Sequence, residues 1–261
     1  EYADVLQGLG SPELVRAMLN GDWDIVAGGA LDDVWRRDAV VVPRFRIPDH
    51  WYVDRSFDWG SATPFSVGWW AVSDGEEVET LQGETISFPA NSLIRFHEWY
   101  GSKVAGTNVG LKLSPAKLAR GIIEREDLFK KHNIYRGKVA PGPADNQIGE
   151  HRVKGEDSIA KKMQREGITW LQSNKSPGSR MNGLELVRNM LENTHTREEA
   201  GLFVTSNCLT TNSTLPILGR DPKNPEDVLK GGEDHVYDEL RYRVLQHNNS
   251  AATKIPTAFT Y

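Results

Sequence analysis

Trp51-Tyr52-Val53-Asp54-Arg55-Ser56-Phe57-Asp58-Trp59-Gly60-Ser61-Ala62-Thr63-Pro64-Phe65-Ser66-Val67-Gly68-Trp69-Trp70-Ala71-Val72-Ser73 is the stretch on which the fold turns. Aromatic and β-branched residues over 51–59 predict a strand, and Gly60 to Pro64 predict a turn. Phe65 to Ser73 predicts a second strand, and its near-continuous apolar run places it centrally in a sheet. Asp74-Gly75 is a hairpin signal, and Leu93-Ile94-Arg95-Phe96-His97-Glu98-Trp99-Tyr100 is a further strand, so the opening reads as an antiparallel meander. Asp58 closes the first strand. A carboxylate at the end of a buried strand is costly unless something pairs with it. Gly60 permits close approach of backbone or ligand. Asp58 therefore reads either as the cap of its own turn or as a ligand.

Downstream the period changes from strand to helix. Ser114-Pro115 starts a helix to about Lys131, with Leu118, Ile122 and Leu128 on its apolar side. Short strands are expected at Tyr135–Ala140, Ile168–Leu171 and Leu202–Thr205, and helices at Ser158–Glu166, Leu184–Glu192 and Glu233–Gln246. Three antiparallel strands followed by alternating helices and strands make a mixed α/β sheet. The order β-β-β-α-β-α-β-α is that of the ribonuclease H-like fold, an analogy that fixes no function by itself. Upstream, Ser11-Pro12-Glu13-Leu14 looks like a helix start and Asn20-Gly21 a stop, with Leu14, Met18 and Leu19 as a short apolar face. Residues 1–50 read as a lead-in or linker, 51–250 as the main domain and 251–261 as a C-terminal tail.

The acids carry the chemistry. Asp145 ends Pro141-Gly142-Pro143-Ala144-Asp145 after a strand, and ligands of alternating α/β sheets sit beyond the carboxyl ends of strands. It reads equally as a turn aspartate. Asp234 and Asp238 open the last helix four residues apart, on one face. They repel one another there unless a cation intervenes, and acids also suit a helix N-terminus because of its dipole. His235, three residues before Asp238, reaches the same side; taken alone it is an ordinary surface or core histidine. Glu98, at a strand end, is a further acid that could face the site or pair with Lys103. Carboxylates from separate elements are suited to Mg2+ or Mn2+. Two such ions ~3.5–4 Å apart can serve an in-line phosphodiester displacement.

The bulk properties narrow the field. The 261 residues carry a net charge of −5, with 38% hydrophobic and 26% charged residues. A protein that binds DNA only through a basic footprint would usually be positive. A metal-holding carboxylate cluster, however, adds negative charge locally while Lys and Arg elsewhere meet phosphates, so charge alone leaves the partner open. No apolar run approaches the ~20 residues of a membrane helix. One cysteine, Cys208, excludes an internal disulfide, argues against a thiolate zinc site, fits a reducing cytoplasm and reads as a buried structural thiol. There is no HExxH, no Gly-x-Ser-x-Gly elbow and no P-loop.

Several segments resemble the nuclease domain of tailed-phage terminase large subunits. Arg55 to Ser66 resembles its opening, as does Arg95-Phe96-His97-Glu98-Trp99-Tyr100-Gly101. Asn224-Pro225-Glu226-Asp227-Val228 through Asp234-His235-Val236-Tyr237-Asp238-Glu239-Leu240-Arg241-Tyr242 resembles its closing motif, and Ala17 to Asp24 the junction after its ATPase domain. The resemblance implies an endonuclease that cuts concatemeric viral double-stranded DNA during packaging, with little sequence specificity. It implies two Mg2+ or Mn2+ ions on acids matching Asp58, Asp145 and Asp238, with Asp234 and His235 auxiliary. It implies an upstream ATPase domain in the same protein, a portal and a small terminase subunit as partners, and action in the host cytoplasm at the procapsid portal. The Pro-Gly-Pro before Asp145 departs from the family's usual junction. Phosphate contacts would fall to Lys154, Lys161, Lys162, Lys175 and Arg180 beside the acidic cleft.

Other readings stay open. A resolvase or transposase shares the fold, although no basic helix-turn-helix accompanies it here. Asp58-Trp59-Gly60-Ser61-Ala62-Thr63 is similar to the phosphate loop of actin-like ATPases and sugar kinases, but Asp74-Gly75 and Gly231-Gly232 do not supply the companion loops. A non-catalytic module that keeps the fold and docks a motor or capsid portal is a further reading, against which the presence of Asp58, Asp145 and Asp238 argues.

Overall fold

The computed structural model describes residues 28–104, 107–151, 155–231 and 234–251. The expected helix at Ser11, the stretch 17–24, Lys154, Gly232, Glu233 and the tail from 252 lie outside the described residues.

A short helix α1 (Arg37–Val40) leads into β1 (Val41–Val42). The meander follows as β2 (Tyr52–Asp58), β3 (Ser66–Val72) and β6 (Leu93–Tyr100), with the small strands β4 (Glu77–Glu79) and β5 (Thr85–Ser87) between β3 and β6. Then come α2 (Pro115–Lys131), β7 (Val139–Ala144), α3 (Ile159–Arg165), β8 (Leu171–Gln172), α4 (Ser179–Thr196), β9 (Leu202–Thr205), α5 (Leu209–Thr214), β10 (Arg220–Asp221), β11 (Asn224–Val228) and α6 (His235–Ala251). The main sheet has seven strands in the order β1-β9-β6-β3-β2-β7-β8. β2, β3 and β6 are antiparallel, and every other pairing in this sheet is parallel. This is a ribonuclease H-like mixed sheet flanked by helices, with β3 at its centre as the apolar run predicts.

The local signals act as expected at the helix starts. Ser114 Oγ accepts from Lys117 N at 3.3 Å, and Ser158 Oγ from Lys161 N at 3.2 Å. Asp74-Gly75 does not turn β3 directly onto its partner: it opens an excursion that pairs β4 with β5, and β3 meets β6 beyond it. The part of the lead-in from residue 28 on docks on the main sheet. Val41 and Val42 pair with Val204 and Thr205, and Leu31, Val34, Trp35 and Val40 are buried.

The expected strand over 135–140 is displaced to Val139–Ala144, so Pro141-Gly142-Pro143 lies inside the strand. A bulge makes this possible. Arg55 faces Pro141 and Phe57 faces Ala144, so β7 carries an extra residue where its prolines cannot donate to the ladder. Only glycine fits at 142, because a Cβ there would collide with the Arg55 carbonyl oxygen.

Two helical layers cover the sheet. On one face α2 and α3 close an aromatic core that includes Phe57, Trp69, Phe96, Phe129 and Trp170. On the other, α4 and α6 bury Trp70, Leu93, Leu184, Leu202, Tyr237 and Leu240. Under α6 this second face becomes polar. Asp54 Oδ1 accepts from Arg243 Nε at 2.7 Å, Ser56 Oγ donates to Glu239, and Asp58 Oδ2 lies 3.1 Å from His235 Nδ1. The pairing is a matter of pitch. Four helical residues rise about 6 Å and two strand residues about 6.7 Å. Helix positions 235, 239 and 243 therefore meet strand positions 58, 56 and 54 as successive rungs. No helix among the described residues is long and apolar enough to cross a membrane.

Candidate active site

The bulge in β7 decides where Asp145 stands. Because Ala144 is opposite Phe57, the next residue on each strand is an aspartate, and Asp145 and Asp58 emerge side by side at the carboxyl ends of neighbouring parallel strands. Asp145 N donates to Phe57 O at 3.0 Å, which holds the two ends together. Asp145 Oδ1 also accepts from Gln147 N at 3.3 Å and so caps the short turn that follows. Asp238 comes from the first turn of α6, which packs on β2, β3 and β7. The register of α6 is fixed by Glu239, which is fully buried and bonded to Arg95 Nη1 at 2.5 Å, Ser66 Oγ at 3.1 Å, Trp70 Nε1 at 3.2 Å and Ser56. This pair occupies the space that a side chain on Gly68 would fill.

Each acid has its own cation or donor. Asp58 Oδ1 accepts from the Tyr242 hydroxyl at 3.4 Å, and His235 Nε2 lies 3.1 Å from Asn108 Oδ1. Asp145 accepts from Lys175 Nζ at 2.9 Å. Asp238 accepts from Arg180 Nη1 at 3.1 Å and Arg241 Nη2 at 2.9 Å, and Arg180 also holds Asp227. Burial pushes the Asp58 carboxyl up to about 7, against the His235 hydrogen bond and with help from the negative charges of Asp238 and Asp145. Asp234 is raised by burial and by Asp238, and the Tyr242 hydroxyl by burial and then by Asp58, Asp238 and Asp145.

The remaining candidates stand elsewhere or in other roles. Glu98 accepts from Thr210 N at 2.6 Å, Thr211 N at 3.1 Å and Thr211 Oγ1 at 2.5 Å, so its carboxylate serves the start of α5 and pairs with Thr210 and Thr211 instead of Lys103. Lys161 and Lys162 lie on α3, bonded to Gln164 and Glu156, and α3 packs against the turn that Asp145 caps. Lys175 and Arg180 face the carboxylates themselves. Cys208 is fully buried with its thiol pushed up by burial.

Sequence reading missed Tyr242, Asn108 and Arg241. Tyr242 had a signal, since it is four residues after Asp238 on the same helical face. Among the described residues, the group whose ligand atoms all lie within 4.8 Å is His50, Asp74 and Glu76, exposed at the opposite end of β2 from Asp58. Asp58, Asp145 and Asp238 are spread more widely, with Tyr242, Lys175 and His235 among them.

No protein-family model matches the sequence, and neither does any curated protein sequence. Solved structures do match. The nuclease domain of the P22 large terminase aligns at TM-score 0.56 and 14% identity, over 85% of this chain and 93% of that domain. The fold is that of a large-terminase nuclease domain. The large terminase of a thermophilic bacteriophage aligns at TM-score 0.53 and 17% identity, over 83% of this chain and 44% of its own. The complex of that terminase with ATP-gamma-S aligns at TM-score 0.55 and 18% identity, over 86% and 47%. The chain thus spans under half the length of the thermophilic phage protein, and the terminase nuclease fold accounts for most of it.

Proposed function

We propose that this chain is the nuclease part of a phage large terminase, a metal-dependent endonuclease that cuts concatemeric double-stranded DNA during packaging. The observation that carries the reading is geometric. Asp58 and Asp145 project from adjacent parallel strand ends, and Asp238 comes to them from α6 within the terminase nuclease fold. The donor set suits Mg2+ or Mn2+, being made of hard carboxylate oxygens. Burial raises the Asp58 carboxyl, the His235 hydrogen bond lowers it and the nearby negative charges of Asp238 and Asp145 raise it further, and a bound cation would offset the burial and the repulsion. Asp58, Asp145 and Asp238 would hold two ions, with Asp234 and His235 beside them. The ions would supply Lewis acidity toward the phosphoryl group and lower the pKa of a nearby water. The chain's own residues orient the carboxylates: His235 and Tyr242 fix Asp58, the Phe57 carbonyl fixes Asp145, and Glu239 fixes Asp238 through α6.

Residues 51–250 would form the nuclease domain and 1–50 the lead-in from an ATPase domain of the same protein. Portal and small subunit would be partners in the host cell. Lys161 and Lys162, beside the turn after Asp145, are suited to phosphates in a sequence-independent way. Incubation with supercoiled plasmid tests the reading. Cutting is expected with Mg2+ or Mn2+, none with EDTA, and at least about a hundredfold less for Asp58→Ala or Asp238→Ala. Cutting that persists in EDTA, or variants as fast as wild type, overturns it.

A further inference from the structure

Lys175 reaches the acids from far along the chain. It lies in the loop between β8 and α4, thirty residues after Asp145, and that loop is tied down next to the acid it serves. Asn146, the residue after Asp145, donates from Nδ2 to Ser173 O at 3.0 Å and accepts from Ser173 N at 2.9 Å and Ser173 Oγ at 3.2 Å. Ser173 N also reaches Ala144 O at 3.2 Å. Asn174 Oδ1 then accepts from Ser176 N and Oγ, which turns the chain around Lys175. The ammonium ends 2.9 Å from Asp145 Oδ1 and 3.0 Å from the Tyr242 hydroxyl, 4.7 Å from the centre of the Tyr242 ring. The same hydroxyl donates to Asp58. Lys175 thus sits as a cation on one acid and one bond away from another.

We propose that Lys175 is a tethered cation that competes with the second divalent ion for Asp145. With the ammonium in place, the Asp58–Asp238 side takes one ion and the two-ion centre stays incomplete. The second ion binds when the side chain swings away. Its 40% exposure gives it somewhere to go, while the carboxylate it leaves is 9% exposed. A charge-assisted hydrogen bond at this distance is strong enough to weaken a competing ion by about tenfold or more. The proposal rests on the reading of Asp145 as an ion ligand.

Mn2+ binding to the full chain, followed by electron paramagnetic resonance of the free ion, tests it without catalysis. Wild type, Lys175→Met, Lys175→Arg and Asp145→Asn are titrated, together with the double variant Lys175→Met/Asp145→Asn. Lys175→Met is expected to bind the second Mn2+ at least about tenfold more tightly than wild type, and Lys175→Arg to stay near wild type. The gain should vanish in the Asp145→Asn background. Equal or weaker binding by Lys175→Met overturns the proposal, as does a gain that survives Asp145→Asn. If wild type binds Mn2+ through Asp58 but Lys175→Met gains nothing, this proposal alone fails. If none of the variants binds Mn2+, the metal-dependent reading fails with it.

Discussion

The two faces of β2 are both buried, yet they are built from opposite materials. Toward α2 and α3, Phe57 stacks on Trp170 with ring centres 5.0 Å apart, and the rest of that core is aromatic and aliphatic. Arg55, the one charge on that side of the strand, pairs with Glu126 at 3.0 Å and lies over the Trp170 ring. Toward α6, Asp54, Ser56 and Asp58 each meet a polar side chain. The first face is held by non-directional burial, which fixes the sheet against its helices without fixing register closely. The second is directional. Each rung pairs a strand residue with one helix residue, so a helix shifted along its axis breaks every rung. The polar face costs desolvation, and in return it sets the azimuth and height at which Asp238, His235 and Tyr242 arrive over Asp58.

Breaking the middle rung should have the largest effect. Glu239→Ala leaves the fully buried Arg95 with only the longer contact to Glu98, 3.7 Å from Nε, and is expected to cost about 3–5 kcal/mol of unfolding free energy in urea titrations. Replacing both partners, Arg95→Met with Glu239→Met, should recover most of that stability while Mn2+ binding stays impaired, because the register is no longer specified. Full recovery of binding would mean that the rung is not what aligns α6.

The opposite face should separate stability from the site. Phe129 is 2% exposed and packs against Trp69, Phe96 and His97. Phe129→Ala is expected to cost about 3–5 kcal/mol. Below its melting temperature its Mn2+ affinity should equal that of wild type. A parallel loss of affinity would show that the two faces are not independent.

The outermost rung gives a pH signature in EDTA. Burial pushes the Asp58 carboxyl up to about 7 in the folded chain from the 3.8 of an ordinary carboxyl. Between those values the unfolded chain holds fewer protons, so this group makes stability fall as pH rises from about 4 to about 7. Asp58→Asn removes that loss. It should raise the unfolding free energy, read from urea titrations, above wild type by an amount that grows across this window, on the order of a few kcal/mol at pH 8. A constant difference from pH 4 to 8 would contradict the burial of a charge-deprived carboxyl. Smallest of all, Ser158→Ala, which removes the cap of α3, should cost about 1 kcal/mol in urea titrations and leave Mn2+ affinity at the carboxylates unchanged.

Much of this was legible because strand ends and helix starts announce themselves locally. Asp58 follows an aromatic strand and precedes a glycine turn, and Asp234, His235 and Asp238 open a helix. β7 was misplaced because two prolines mark a loop by every local rule, and only the bulge opposite Arg55 makes them strand residues. β1, two residues long, has no pattern of its own and exists through its pairing with β9. The positions of Lys175 and Arg180 on carboxylates were not legible, since they depend on how the loop after β8 and the start of α4 fold back onto the sheet. Nor were the rungs from 235 to 243, because they arise from matching a helical pitch to a strand pitch across 177 or more residues.

On the proposed reading, the acids at the ends of β2 and β7 hold divalent ions. Anomalous diffraction from crystals soaked in Mn2+ tests it most directly. Peaks are expected within coordination distance of Asp58 and Asp238, with a second at Asp145 once Lys175 has moved or been replaced. A map whose strong peak lies at His50, Asp74 and Glu76, with none at Asp58, would contradict it.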